Sequence, residues 1–262
     1  MSRPATTLAS TGESAREYGR DGLFGLLTPQ GNPTAEPEMR ILLPPRTSML
    51  CARLTSASGE LKQRLADYLE RLSDLVDQFG DVAFEAVGFA CTGSSYGVSA
   101  EEERRRLSEI GMRKGYPLLS AAGAVEEALR ALGIGAIALV SPYPSWLTDV
   151  CRAHWERRGV SVTSILELPP AAPQHPIYAH TTAEVIEAVN GFDPRGAEAI
   201  LLTGTGMPSL RAIESLEPAR QMPVLSSNLC LAWALVRIAG CPARPGSESR
   251  LYGGWAQRLA GS

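Results

Sequence analysis

The chain repeats itself. Residues Phe24–Pro29 (FGLLTP) align with Ile137–Pro142 (IALVSP) at an offset of 113, and Glu85–Gly93 (EAVGFACTG) aligns with Glu198–Gly206 (EAILLTGTG) at the same offset. A third pair, Pro117–Ser120 (PLLS) and Pro223–Ser226 (PVLS), keeps the order at an offset of 106. Short β-rich runs look alike by chance, but three in one order, two at one spacing, point to duplication. The repeat predicts two similar α/β lobes with mainly parallel four-stranded sheets, doubly wound and pseudosymmetric. Residues 21–119 form the first lobe, with 229–240 as a helix that can complete it, and 120–228 form the second. Residues 1–20 read as a flexible arm and 241–262 as an irregular tail.

Local patterning agrees with the repeat. Predicted strands are Leu23–Thr28, Met49–Leu54, Ala83–Ala90, Leu118–Leu119, Ala136–Ser141, Ser161–Leu166, Glu198–Thr203 and Val224–Ser226. Between them lie predicted helices Glu60–Phe79, Ala100–Lys114, Ala121–Leu132, Ser145–Arg158, Thr182–Asn190, Pro208–Ser215 and Leu229–Ala239. Ser99 with Glu102 and Thr181 with Glu184 have the spacing of capping boxes. Apolar strands separated by helices belong to parallel sheets covered on both faces. Ligands in such sheets bind beyond the carboxyl ends of the strands. Equivalent strand ends of two lobes face a common cleft, which brings together the turns Pro29–Thr34, Cys91–Tyr96, Pro142–Ser145 and Gly204–Ser209.

Composition narrows the chemistry. A net charge of −3 and a pI near 5.7 argue against a general binder of nucleic acid or anionic membranes. No apolar run approaches the roughly 18 residues of a membrane span, and the first twenty residues lack a signal-peptide core. The expected location is the cytoplasm. Five cysteines form no CxxC pair, and three scattered histidines suggest no metal site. Gly93, Gly204 and Gly206 fit neither GxGxxG nor P-loop spacing. The expectation is an enzyme with no metal or cofactor.

One thiol then stands out. Cys91 ends a buried strand and precedes Thr92, Gly93, Ser94 and Ser95, a turn whose N–H groups and hydroxyls can hold a carboxylate and stabilise a thiolate. At the repeat-equivalent position the second lobe has Gly204, flanked by Thr205 and Gly206 in another donor-rich turn. Cys51 and Cys151 fall in a strand and a helix, Cys241 falls in the tail, and Cys230 near a helix start is a weaker candidate. Tyr143 can donate to a substrate carboxylate or pack at the lobe interface. Asn32 can hold the other end of a polar substrate or serve as an Asx-turn residue. Glu36 braces its loop.

These motifs resemble the aspartate/glutamate racemase superfamily, in the branch of maleate cis-trans isomerases and arylmalonate decarboxylases. The carriers are Gly25–Glu38, Ala90–Ser95, Ser141–Tyr143, Leu201–Leu210 and Pro223–Asn228, within roughly residues 22–245. The resemblance implies a cofactor-free enzyme acting on a small carboxylate or dicarboxylate, and is compatible with a homo-oligomer. It implies Cys91 as nucleophile, with Asn32, Thr92, Gly93, Tyr143, Gly204, Thr205 and Gly206 around the substrate. The family's second cysteine is missing at Gly204, and its Asn in the long second-lobe loop has no clear counterpart near Pro169–His180, with Gln174 as its substitute. Two-base racemisation is therefore disfavoured. A single thiol suffices for addition, rotation and elimination at a C=C bond. It also suffices for protonation after decarboxylation, the alternative reading. A carboxylate-binding homologue without catalysis is the third. Met39, Met207 and Trp146 are expected to line the pocket.

Overall fold

A computed structural model describes residues 16–172 and 177–261. Most of the expected arm, residues 1–15, lies outside them, as does Gln174. Among the described residues, β1 (Leu23–Pro29), β2 (Ser48–Leu54), β3 (Ala86–Phe89) and β4 (Leu118–Ser120) form one sheet in the order β2-β1-β3-β4. β5 (Ala136–Ser141), β6 (Ser161–Glu167), β7 (Ala199–Leu202) and β8 (Val224–Ser226) form a second in the order β6-β5-β7-β8. All neighbouring strands are parallel. The aligned runs occupy matching places: β1 matches β5, β3 matches β7 and β4 matches β8.

The helices are α1 (Ala35–Leu42), α2 (Leu61–Glu70), α3 (Leu72–Val76), α4 (Thr92–Tyr96), α5 (Ala100–Lys114), α6 (Ala121–Leu132), α7 (Ser145–Glu156), α8 (Thr182–Asn190), α9 (Leu210–Arg220), α10 (Ser227–Ile238) and α11 (Ala256–Ala260). Every residue of β1, β3, β7 and β8 is buried, as expected for parallel strands covered on both faces. Thr181 and Glu184 form a reciprocal capping box, whereas Ser99 caps α5 by accepting from the Glu102 N–H. α6 and α10 begin alike, with Ser120 accepting from the Gly123 N–H and Ser226 from the Leu229 N–H, and they pack against each other. α10 also lies over β3. A Cβ added at Gly88 would come within 3.1 Å of Leu231 and 3.2 Å of Leu235, so the glycine permits the close approach.

Three expectations need correction. The predicted helix over Glu60–Phe79 breaks at Arg71, then ends in α3 and a 3-10 turn at Asp77–Phe79. The helix expected over Pro208–Ser215 starts later and runs through Pro218 to Arg220. Its last turn is held by Glu217, whose buried carboxylate accepts from Val224 N and Arg250 N. Ala35–Leu42, assigned to no element, form α1. Asn32 Oδ1 accepts from Thr34 N and Ala35 N, and Pro37 lies early enough in the helix to need no intrahelical donor. The tail has no regular element over residues 241–255 and then forms the short α11, at whose start Glu248 Oε1 accepts from Trp255 N and Ala256 N. Tyr252 and Arg258 donate to the carbonyls of Leu42 and Ile41, tying the tail to the end of α1. Trp255 is fully buried.

Candidate functional site

The carboxyl ends of the two sheets meet, and the turns after β1, β3, β5 and β7 interlock there. Cys91 follows β3 at the start of α4, a helical turn where a plain turn was expected. Its Sγ lies 3.2 Å from Ser94 Oγ, and the backbone N–H groups of Gly93 and Ser94 also bond to it. Burial raises the thiol pKa, and these three donors pull it back. Cys91 is 4% exposed. Burial also lifts Cys51 to about 12 and Cys151 to about 11. Cys151 has side-chain partners alone, with Thr203 Oγ1 3.8 Å from its Sγ, and for Cys230 burial alone acts. Among these thiols Cys91 alone is bonded by backbone N–H groups, which hold a thiolate without reorganising.

Opposite it, Gly204 adopts φ +89°, and a Cβ there would lie 2.8 Å from Tyr143 Oη and 3.2 Å from Cζ. The phenol thus fills the volume a side chain at 204 would need. Tyr143 Oη is 2.9 Å from Thr92 Oγ1, joining the turn after β5 to α4, and burial raises its pKa strongly. Gly204→Ala is expected to cost about 1–3 kcal/mol, from left-handed backbone and from collision with the ring. Denaturant unfolding of the variant checks this.

Several residues expected around the substrate bind the lobes to each other. Asn32 Nδ2 donates to Thr205 Oγ1 at 3.0 Å, Thr205 Oγ1 donates to Ala90 O at 2.8 Å, and Thr34 Oγ1 donates to Gly206 O at 2.8 Å. Asn32 also makes the Asx-type bonds that start α1. Its second Nδ2 hydrogen is its remaining donor. Gly93 lets Leu65 of α2 pack close, since a Cβ would meet it at 3.0 Å. Tyr96 Oη lies 2.6 Å from Thr203 Oγ1, a further bond across the cleft.

Two groups escaped the sequence reading. Glu38 on α1 is buried and reaches the second lobe: its carboxylate accepts from Ser209 N, Leu210 N and Asn228 Nδ2, and Ser209 Oγ lies 2.8 Å away. Burial raises its pKa while these bonds oppose the rise. The signal was the helical spacing of Ala35, Met39 and Leu42, which places position 38 on the buried face. Glu36, by contrast, pairs with Arg40 and Arg53 at the surface, the bracing role expected. The second is Tyr178, in the loop before α8. A Cβ added at Gly206 would lie 2.3 Å from its ring, and one at Gly31 would lie 3.7 Å from it.

Met39, expected at the pocket, is fully buried in the core on the inner face of α1. Trp146 is half-exposed beside Glu60, Leu61 and Lys62. A cavity of about 800 Å³ lies away from the cleft, between α5, β4 and α6, and contains none of the turn residues. Among the described residues no three His, Cys, Asp or Glu side chains gather as a metal set. No helix among them is long and apolar enough to cross a membrane.

The sequence matches the arylmalonate decarboxylase family over residues 25–252. It is 27% identical to the maleate isomerase of Geobacillus stearothermophilus over 235 residues, 82% of this chain and 90% of that one. It is 30% identical to the arylmalonate decarboxylase of Bordetella bronchiseptica over 142 residues, 52% of this chain and 59% of that one. The Nocardia farcinica maleate cis-trans isomerase bound to TRIS superposes with a TM-score of 0.75 at 25% identity, covering 91% of this chain and 99% of that one. A further structure of that enzyme, a cysteine-to-serine mutant with a TM-score of 0.69 at 25% identity over 84% of this chain and 93% of that one, holds a covalently bound succinylcysteine intermediate.

Proposed function

The chain belongs to the arylmalonate decarboxylase family, and we propose that within it the protein is a cofactor-independent isomerase of small dicarboxylates, converting maleate to fumarate through Cys91. The observation that carries this reading is the asymmetry of the cleft: one thiol bonded by backbone N–H groups on one side, and Gly204 filled by a phenol on the other.

In the first step the Cys91 thiolate forms a bond to one alkene carbon. The π electrons move to the neighbouring carbon and into its carboxylate, giving an enediolate. The former double bond is now single and rotates. The electrons return, the S–C bond breaks, and the trans alkene leaves with the thiolate regenerated. Neutral donors suit the developing charge: the Tyr143 phenol, kept protonated by its raised pKa, and Thr92 Oγ1 beside it. The succinylcysteine of the Nocardia relative is the thioether this addition produces, once protonated.

A thiol at position 204 would supply a proton from the opposite face; Gly204 supplies none. Isomerisation in D₂O, followed by NMR, is therefore expected to give fumarate without solvent deuterium. No conversion of maleate would overturn the reading. Decarboxylation is the second reading, favoured by the family match and the Bordetella relative. There an α-aryl malonate would lose CO₂, and Cys91 would protonate the enediolate. The same experiment run with phenylmalonate would then yield product carrying one deuterium.

A further inference from the structure

A dicarboxylate beside Cys91 has one carboxylate among the donors of the Tyr143 side, and its other end needs donors of its own. Two further phenols stand near Cys91, one from each lobe. Tyr178 comes from the second-lobe loop between β6 and α8, and its ring lies on Gly206, where any side chain would collide with it at 2.3 Å, and beside Gly31 of the first lobe. It thereby covers the gap between the turns after β1 and β7. Tyr68 on α2 is buried. Each phenol interacts electrostatically with the Cys91 thiol, and the Arg64 guanidinium of α2 acts on both. The surroundings of Cys91 therefore combine two hydroxyl donors, one from each lobe, with a positive field, a combination suited to an anion.

We infer that Tyr178 is the specificity-determining residue for the substrate's distal carboxylate, its hydroxyl donating to that group beside Tyr68 while Arg64 supplies the countercharge. The assignment rests on the reading that a dicarboxylate occupies the cleft next to Cys91. It makes the enzyme selective for two negative ends. An ester or a monocarboxylate loses the partner of Tyr178 and leaves the phenol facing an uncharged group.

The test is titration calorimetry of the full chain with succinate and with monomethyl succinate. Tyr178→Phe keeps the ring on Gly206 and removes only the hydroxyl. It is expected to weaken succinate binding about tenfold or more and to leave the half-ester nearly unchanged. Gly206→Ala keeps the hydroxyl and displaces the ring, and is expected to reduce the same selectivity. Equal weakening of both ligands in Tyr178→Phe, or no weakening of succinate, overturns the assignment. Failure of the functional reading appears separately, as wild-type protein that leaves maleate unconverted while its selectivity still follows Tyr178.

Discussion

Cys91→Ser is expected to lower kcat/KM for maleate by a factor on the order of 10³ or more, because serine oxygen replaces the only nucleophile in the proposed cycle. The substitution is nearly isosteric, and Ser94 Oγ with the N–H groups of Gly93 and Ser94 can bond to the new hydroxyl as they do to the thiol. Stability is therefore expected to change by less than about 1 kcal/mol, so lost activity would report chemistry. The pH profile gives a second measurement. Burial raises the Cys91 pKa, and the reactive form is the thiolate. The rate is thus low at neutral pH and climbs about tenfold per unit as pH rises, with its inflection above the ordinary thiol value of about 8.5. A profile flat from pH 6 to 9, or full activity in Cys91→Ser, rules out this chemistry.

Glu38→Ala is expected to cost about 3 kcal/mol or more, a fall in Tm of roughly 6–12 °C for a chain of this size. The carboxylate is the common acceptor for Ser209 N, Leu210 N and Asn228 Nδ2, all buried on the opposite lobe. Removing it leaves each of them without that partner. Glu36→Ala, two residues away, is the control. Its pairs with Arg40 and Arg53 involve half- to largely exposed arginines, and exposed pairs contribute about 0–1 kcal/mol. Comparable losses in the two variants, measured by thermal unfolding, would refute Glu38 as the clamp between the lobes.

The legible parts of this molecule were those governed by local pattern and repetition. The strands of Val, Ile and Leu, the matched offsets, and the contrast of Cys91 with Gly204 follow from period and position alone, and both sheets appear with the same strand order. The lobe-to-lobe bonds were not legible. Asn32 offers the same amide to a substrate, to its own turn or to Thr205, and only the three-dimensional meeting of the turns decides. Glu38 was given no role because Asn32-Pro33 and Pro37 disguise the start of α1, and with it the helix face that buries position 38. Tyr178 carries no sequence signal at all, since its importance comes from the glycines it covers. The packing of the tail was not legible either: its glycines and prolines mark irregular backbone, and only the structure shows that Tyr252 and Trp255 supply apolar surface buried against the rest of the protein.

The position of α10 sets an order of events during synthesis. The face of β3 that carries Gly88 is covered by Leu231 and Leu235, which leave the ribosome more than a hundred residues after the first sheet is complete. At ordinary rates of translation the nascent first half waits roughly ten seconds with that face bare. A gene encoding only residues 1–119 would leave it bare permanently, and its product is expected to aggregate. Although the halves share one pattern, the first is not finished by its own residues: the last long helix made closes the first sheet begun.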